Sequence, residues 1–361
     1  MNELENARLI INETDRDMAK LFSERMKAAK IIAAYKKERG LPVYDAEREA
    51  ELIKRNCELI EDEELKPYYA DFIRKTIGIS RDYQNYLIQG AKIAYCGVPG
   101  AFAYAAAKRL FERGEYVPYG SFAEAYNAVL DGECDNAVLP IENSSAGEVG
   151  EVCDLIFAGP LYINRTADLP VTQNLLTVRG AKISDVKTVV SHPQALAQCA
   201  NYIKAKGFAA KEFSNTALAA KYAAEQNDKS LAAIGTLEAA ELYGLDAAER
   251  NINEAKTNTT RFAVLSRAES GGPGHSDDNF FLVFSVKNRA GALAEAINII
   301  GKYGYNMRAL HSRPLPSLLW QYYFYMECEG NVRTAGGEKM LSELSAYCEK
   351  LKLVGSYSSV R

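Results

Sequence analysis

The first eighty-eight or so residues are rich in helix formers and are broken only by Gly40, Pro42, Pro67 and Gly78. Leu4, Ala7, Ile11, Thr14, Met18, Leu21, Phe22, Met26, Ala29, Ile32 and Ala33 follow a helical stripe, and the first stop signal is Gly40 ahead of Pro42. One helix of nearly forty residues is about 55 Å long at 1.5 Å per residue. The short helices that follow cannot cover such a rod, so a second copy of the chain is expected, as a homodimer or higher homo-oligomer.

From Ala91 the pattern changes. Short β-rich runs at Lys92–Cys96, Tyr116–Tyr119, Asn136–Leu139, Thr188–Val190, Ala209–Phe213, Leu231–Ile234 and Phe262–Leu265 alternate with helical segments, which predicts an α/β domain. The stretch from Ser270 to Ser276, with three glycines and a proline, reads as a linker. Beyond it, a strand (Phe280–Val286), a helix (Ala292–Tyr303), two strands (Tyr305–Ser312, Leu319–Glu327), a helix (about Ala335–Leu351) and a strand near Val354–Ser358 predict a ferredoxin-like α+β sandwich. The expected organisation is multidomain: an all-α bundle over 1–90, an α/β domain over 91–269 and the sandwich over 278–361.

A chain of 361 residues with formal net charge -4 carries no overall field that would draw nucleic acid or an anionic membrane, and neither is expected as a partner. An anionic ligand must be held by local groups. The start of the chain lacks a signal-peptide pattern and no apolar run reaches spanning length, so a cytoplasmic protein is expected. Its seven cysteines are scattered and contain no Cys-x-x-Cys pair, and its three histidines have no ligand-like spacing. No metal and no cofactor are expected.

Within the helical segment Arg25 and Lys36 lie eleven residues apart, so they share one face about 16 Å apart along the axis. Arg8 lies about 25 Å further toward the N-terminus and cannot serve the same site in a straight helix. Asp45, Arg48 and Glu49 form a second polar patch, and Ser80 and Gln84 a third. With the phrase Pro42-Val43-Tyr44-Asp45-Ala46-Glu47-Arg48-Glu49, this set resembles the all-helical chorismate mutase family. The resemblance implies that Arg25, with Arg8 of the opposite subunit, binds carboxylates of chorismate, and that Lys36 and Gln84 donate to its ether oxygen. Arg48, Glu49, Ser80 and the Asp45 region would hold the ring carboxylate and hydroxyl. A Claisen rearrangement needs no nucleophile or proton transfer, only a compact conformer and positive charge where the breaking C–O bond becomes negative.

In the α/β segment, Gly97-Val98-Pro99-Gly100-Ala101-Phe102 leads from a strand into a helix, either as an anion-binding turn or as a tight connection. Pro140-Ile141-Glu142-Asn143-Ser144-Ser145 ends a strand at the usual ligand edge of a sheet. Ser191-His192-Pro193-Gln194 and Asn215-Thr216-Ala217 open helices, and Asn258-Thr259-Thr260-Arg261-Phe262 enters the last strand with a hydroxyl beside a guanidinium. Together these motifs resemble prephenate dehydratase, which implies a two-lobed domain like a type II periplasmic binding protein. The resemblance implies that Thr260 assists departure of the ring hydroxyl by hydrogen bonding, Arg261 binds carboxylate, and Glu142, Asn143, Ser144 and Gln194 belong to the site for prephenate. Ala103-Tyr104 and Gln173 depart from the family pattern, which commonly has a hydroxyl residue then His or Glu, and a histidine, there.

Residues 278–361 resemble an ACT domain. The resemblance implies that phenylalanine binds between subunits at Gly291, Ala292, Leu293 and at Ser312, Arg313, Pro314, lowering dehydratase activity. His311 stands where the related dehydratases have glutamate. The expected function is conversion of chorismate to prephenate and then to phenylpyruvate. The alternative is a mutase fused to a domain that senses a ligand without turning it over.

Overall fold

The computed structural model describes residues 2–255, 257–269, 277–314, 321–357 and 359–360. The expected linker at 270–276 and the start of the strand expected from Leu319 lie outside the described residues. Contacts divide the chain into a helical unit ending at Ala91, joined by Arg113–Glu115, and a second unit holding the rest.

The helical unit has three helices: α1 (Glu3–Arg39), α2 (Ala46–Cys57) and α3 (Lys66–Gln89). Asn2 caps α1 by accepting from the Glu5 amide while the Glu5 carboxylate accepts from the Asn2 amide, and Gly40 in the left-handed conformation ends the helix. Both α1 and α2 pack on α3. Only Ala29 and Ala33 of α1 are buried, whereas Leu4, Ile10, Ile11, Met18, Leu21 and Phe22 are exposed along one side of it. The N-terminal half of α1 therefore carries an apolar face that this chain alone leaves uncovered.

The second unit begins with β1 (Ala91–Cys96), α4 (Phe102–Leu110), β2 (Gly114–Tyr119), α5 (Phe122–Leu130), β3 (Asn136–Asn143), β4 (Gly147–Glu148), α6 (Gly150–Ala158) and β5 (Tyr162–Pro170). A second lobe follows as β6 (Asn174–Thr177), β7 (Thr188–Ser191), α7 (Pro193–Gln198), α8 (Ala200–Lys206), β8 (Ala209–Glu212), α9 (Thr216–Gln226), β9 (Leu231–Gly235), α10 (Leu237–Tyr243) and β10 (Asp246–Glu249). The chain then returns to the first lobe in β11 (Thr259–Ser266). The first sheet runs β16-β5-β11-β3-β1-β2, with β4 on β3 and β16 being Ser359–Val360; the second runs β10-β6-β9-β7-β8. Two crossings, 171–173 and 250–258, join the lobes, and the Val171 amide donates to the Asn258 carbonyl where they meet. Strands β5, β6 and β10 were not among the sequence expectations.

The C-terminal part comprises β12 (Asn279–Val286), α11 (Ala292–Lys302), β13 (Asn306–Pro314), β14 (Tyr322–Glu329), α12 (Ala335–Tyr347) and β15 (Cys348–Tyr357), in one antiparallel sheet ordered β13-β14-β12-β15. This is the expected β-α-β-β-α-β arrangement, with one correction. The last helix stops at Tyr347, and Cys348 to Leu353 instead pair with β12 from Val286 back to Leu282. One sheet face packs on α11 and α12 through Phe280, Leu282, Phe284, Ile299, Met340 and Leu344. The other presents Phe281, Val283, Tyr323, Tyr325, Val354 and Tyr357 to a core shared with Leu139, Ile141, Ile163 and Leu265 of the first lobe.

That packing is close enough to need glycine at one point. A Cβ on Gly355 would lie 2.0 Å from the Ile163 carbonyl oxygen on β5. Gly355→Ala is expected to force β15 off β5 and destabilise the chain by about 1–3 kcal/mol, read as a lower urea midpoint. An unchanged midpoint would show that the two sheets are not packed this closely.

Candidate active sites

The helical unit encloses a cleft of about 530 Å³ between α1, α2 and α3. Arg25, Lys36, Asp45, Arg48, Glu49, Ser80 and Gln84 all line it, as does Arg81, which the sequence reading did not single out. Arg8 does not line it. Arg25 Nε donates to Ser80 Oγ at 3.1 Å, and Lys36 Nζ to the Val43 carbonyl at 2.7 Å. Asp45 caps α2 by accepting from the Arg48 amide, and Arg81 spans both Glu49 oxygens at 3.3 Å. Four cations against two carboxylates leave the cleft with a surplus of two positive charges. Gln84 is buried; its Nε2 donates to the Ser80 carbonyl at 3.2 Å, and its Oε1 has no hydrogen-bond partner.

A second cleft, of about 430 Å³, opens between the two lobes of the α/β region. Its walls include the first residues of α4 (Ala101 to Ala103), of α7 (His192, Gln194, Ala195) and of α9 (Ser214 to Thr216). Gly100, at φ +90, makes the turn into α4, so the glycine motif brings backbone amides to the cleft. Among the described residues, no Lys, Arg, Asp or Glu lines this cleft. The N-terminus of α4 has no side-chain cap, whereas α7 and α9 are capped by His192 and Asn215, so an anion here would meet the α4 amides and neutral side-chain donors.

Thr260 lies across from Asn143 in the β11–β3 register, and Asn143 Nδ2 donates to Thr260 Oγ1 at 2.9 Å. Asn143 is itself fixed, because its Oδ1 accepts the amides of Ser145 and Ala146. With its lone pair engaged, the Thr260 hydroxyl has its proton available to donate into the cleft. Cys96 also lines the cleft, where burial pushes its thiol up and keeps it neutral.

The strand pleat sends the next residue the other way. Arg261 is not among the cleft residues; its Nε contacts Asp168 at 2.8 Å and its Nη1 contacts Glu327 at 2.8 Å, with Glu142 at 3.8 Å. Burial disfavours its charge, but the Asp168 hydrogen bond and the Glu327 carboxylate more than offset that and raise its pKa. A guanidinium bracketed by three carboxylates joins the first lobe to β14 rather than facing a ligand in the cleft. Glu142 is likewise outside the lining set, and Ser144 holds the 257–259 loop through the Thr257 carbonyl and Thr259 amide. Of the residues expected here, Thr260, Asn143 and Gln194 line the cleft.

A type II chorismate mutase model matches residues 7–85, and a prephenate dehydratase model matches residues 93–270. The bifunctional chorismate mutase/prephenate dehydratase of Aquifex aeolicus (strain VF5) is 30% identical over 368 residues, covering 99% of this chain and 98% of its own. This chain belongs to the bifunctional chorismate mutase/prephenate dehydratase family. It is an enzyme of phenylalanine biosynthesis with both activities. Arogenate dehydratase 2 of Petunia hybrida is 35% identical over 298 residues, covering 78% of this chain and 75% of its own. A prephenate dehydratase from Arthrobacter aurescens, solved in complex with L-Phe, matches with a TM-score of 0.66 at 27% identity, covering 74% of this chain and 89% of that one.

The dehydratase region meets the C-terminal sheet around a charged cluster. Arg313 donates to both Asp154 oxygens at 2.9 and 2.8 Å and to Glu148 at 3.2 Å, and the Asp154 carboxyl is held below its ordinary range chiefly by that guanidinium. His311 lies 3.6 Å from Glu148 and 4.0 Å from Glu142. Gly291, at φ +82, caps α11, and Ala292 and Leu293 line a hollow of about 160 Å³. None of Ser312, Arg313 and Pro314 lines that hollow. Among the described residues there is no cluster of three or more His, Cys, Asp or Glu able to hold a metal, and no helix long and apolar enough to cross a membrane.

Proposed function

We propose that the helical cleft is the mutase site and the interlobe cleft is the dehydratase site. In the first, Arg25 and Arg48 hold the carboxylates of chorismate in the folded conformer, while Lys36 and Gln84 donate to the ether oxygen as its C–O bond breaks. Ser80, Asp45 and Glu49 position the ring substituents, and Arg81 keeps Glu49 in place. The surplus of positive charge in this cleft supports the reading, since the substrate is a dianion.

Arg8 completes the pocket of a neighbouring copy. The uncovered apolar face of α1 around Leu4, Ile11, Met18, Leu21 and Phe22 supports a homodimer joined through this helix.

At the second cleft, Thr260 donates to the departing ring hydroxyl and Asn143 holds it in that orientation. Carbon dioxide leaves with its bonding pair passed into the ring, which becomes aromatic as hydroxide departs. The hydrogen bond between Asn143 and Thr260 is the observation that carries this assignment. The C-terminal sandwich is an ACT regulatory domain that binds phenylalanine near Gly291 to Leu293, in a pocket completed by a second chain, and lowers dehydration. The Arg313 and Arg261 clusters would carry that signal to β3 and β11. The protein works in the cytoplasm, without metal or cofactor.

Thr260→Ala is expected to reduce phenylpyruvate formation by about 100-fold or more while leaving chorismate loss unchanged; a native dehydration rate would refute the role. Arg8→Ala and Arg25→Ala chains are each expected to lack mutase activity. Mixed after unfolding and refolding together, they should recover roughly a quarter of native activity, since half the dimers then carry one intact pocket of two. No recovery on mixing would mean that Arg8 does not cross to a partner.

A further inference from the structure

The crossing that returns to the first lobe ends at Asn258, whose carbonyl accepts from the Val171 amide at 2.8 Å. The residue is 7% exposed and lines the interlobe cleft together with Thr260. Backbone groups decide which end of its side-chain amide faces the cleft. The Ser145 and Ala146 amides both donate to Asn143 Oδ1 at 2.9 Å, so the other end of the Asn143 amide must be its nitrogen. That nitrogen donates at 2.9 Å to Asn258 Oδ1 and at 2.9 Å to Thr260 Oγ1. Asn258 therefore meets Asn143 with its oxygen and turns its NH2 group away. Among the described residues none accepts from Asn258 Nδ2, and what remains exposed of the residue lies in the cleft wall.

The chemistry of dehydration has a place for such a donor. When the ring C–O bond breaks, its electron pair stays with oxygen, and the charge of the leaving hydroxide must be met inside the cleft. No Lys or Arg lines the cleft among the described residues, so this falls to neutral donors already in position. Thr260 can give only one hydrogen bond, because a hydroxyl carries a single proton. A second donor to the same oxygen has to stand beside Thr260, and Asn258 is tied to it through the one Asn143 nitrogen. Asn143 engages a lone pair of the Thr260 hydroxyl and the oxygen of the Asn258 amide. The O–H of one and the NH2 of the other both stay free for a ligand.

We propose that Asn258 is a second catalytic donor of the dehydratase, its Nδ2 joining Thr260 Oγ1 in hydrogen bonding to the hydroxyl that departs from the ring. This rests on the interlobe cleft being the dehydratase site. In that step the C–C bond to the ring carboxylate breaks with its electron pair entering the ring, and the C–O bond breaks with its pair going to oxygen. Asn258 and Thr260 give hydrogen bonds and keep their protons; the hydroxide takes its proton from solvent. The products are carbon dioxide, water and phenylpyruvate, with no oxidant or reductant required.

The test is the pH dependence of kcat for prephenate in the full-length chain, at saturating substrate and corrected for dehydration without enzyme. Asn258→Asp keeps an oxygen for Asn143 and replaces the NH2 group by a second oxygen, which only accepts when ionised and donates when protonated. At about pH 8 this variant is expected to lose about 100-fold in kcat. As the pH falls to about 5 it should regain at least tenfold relative to the native chain, because part of the carboxyl population then carries a proton. A misfolded chain would show no such recovery. Asn258→Ala, which has no donor at any pH, should stay low throughout. A kcat for Asn258→Asp within threefold of native at about pH 8, or a loss that acid does not reverse, would overturn the inference and leave the site assignment standing as long as Thr260→Ala abolishes dehydration. Native dehydration by Thr260→Ala would overturn both.

Discussion

Strand β11 is the member on which the second unit depends, because two of its consecutive side chains address two different parts of the molecule. It lies between β3 and β5, and the pleat points Thr260 and Phe262 into the interlobe cleft. Arg261, between them, reaches Asp168 of the neighbouring strand and the buried Glu327 of the C-terminal sheet. The register that pairs Thr260 with Asn143 also pairs Arg261 with Glu142, so a shift of one residue would exchange the hydroxyl for the guanidinium in the cleft. The facing of Thr260 into the cleft and the attachment of the C-terminal sheet are thus fixed by the same ladder of hydrogen bonds.

The two clefts proposed as substrate sites differ in the physical means they offer an anionic ligand. The helical cleft carries Arg25, Lys36, Arg48 and Arg81, which suits a reaction that requires a folded dianion and positive charge at a breaking ether bond. Among the described residues the interlobe cleft is lined by no Lys, Arg, Asp or Glu and offers amides, hydroxyls and the N-terminal end of α4. Dehydration expels a carboxylate as neutral carbon dioxide, and a cation held tightly to that carboxylate would stabilise the ground state more than the transition state. A neutral lining avoids that penalty.

Much of this was legible in the sequence. The long α1 followed from its apolar stripe and the Gly40 stop. The mutase set lay at helical intervals, and all but Arg8 line one cleft. Other features depend on pairing partners that one segment does not reveal. Residues 348–351 have the composition of a helix but are held as strand by β12, a tertiary override of local preference. Thr260 and Arg261 are adjacent in a single motif, and only the strand register shows that they face apart. Arg81 follows Ser80 by one residue, about 100° around the helix, and its role depends on Glu49 of α2. Gln173 departs from the family pattern, and only the fold shows that it is buried and donates to Gln198.

The central claim for the second unit is that Arg261 belongs to the connection with the C-terminal sheet and not to substrate binding. Removing Arg261 alone would strand the Glu327 charge, so the informative variant is the double substitution Arg261→Met, Glu327→Leu, which replaces both partners by apolar groups. The decisive measurement is KM for prephenate with and without phenylalanine. The account predicts a KM within about threefold of native, together with loss of the phenylalanine response. A KM raised fiftyfold or more with inhibition by phenylalanine intact would contradict it.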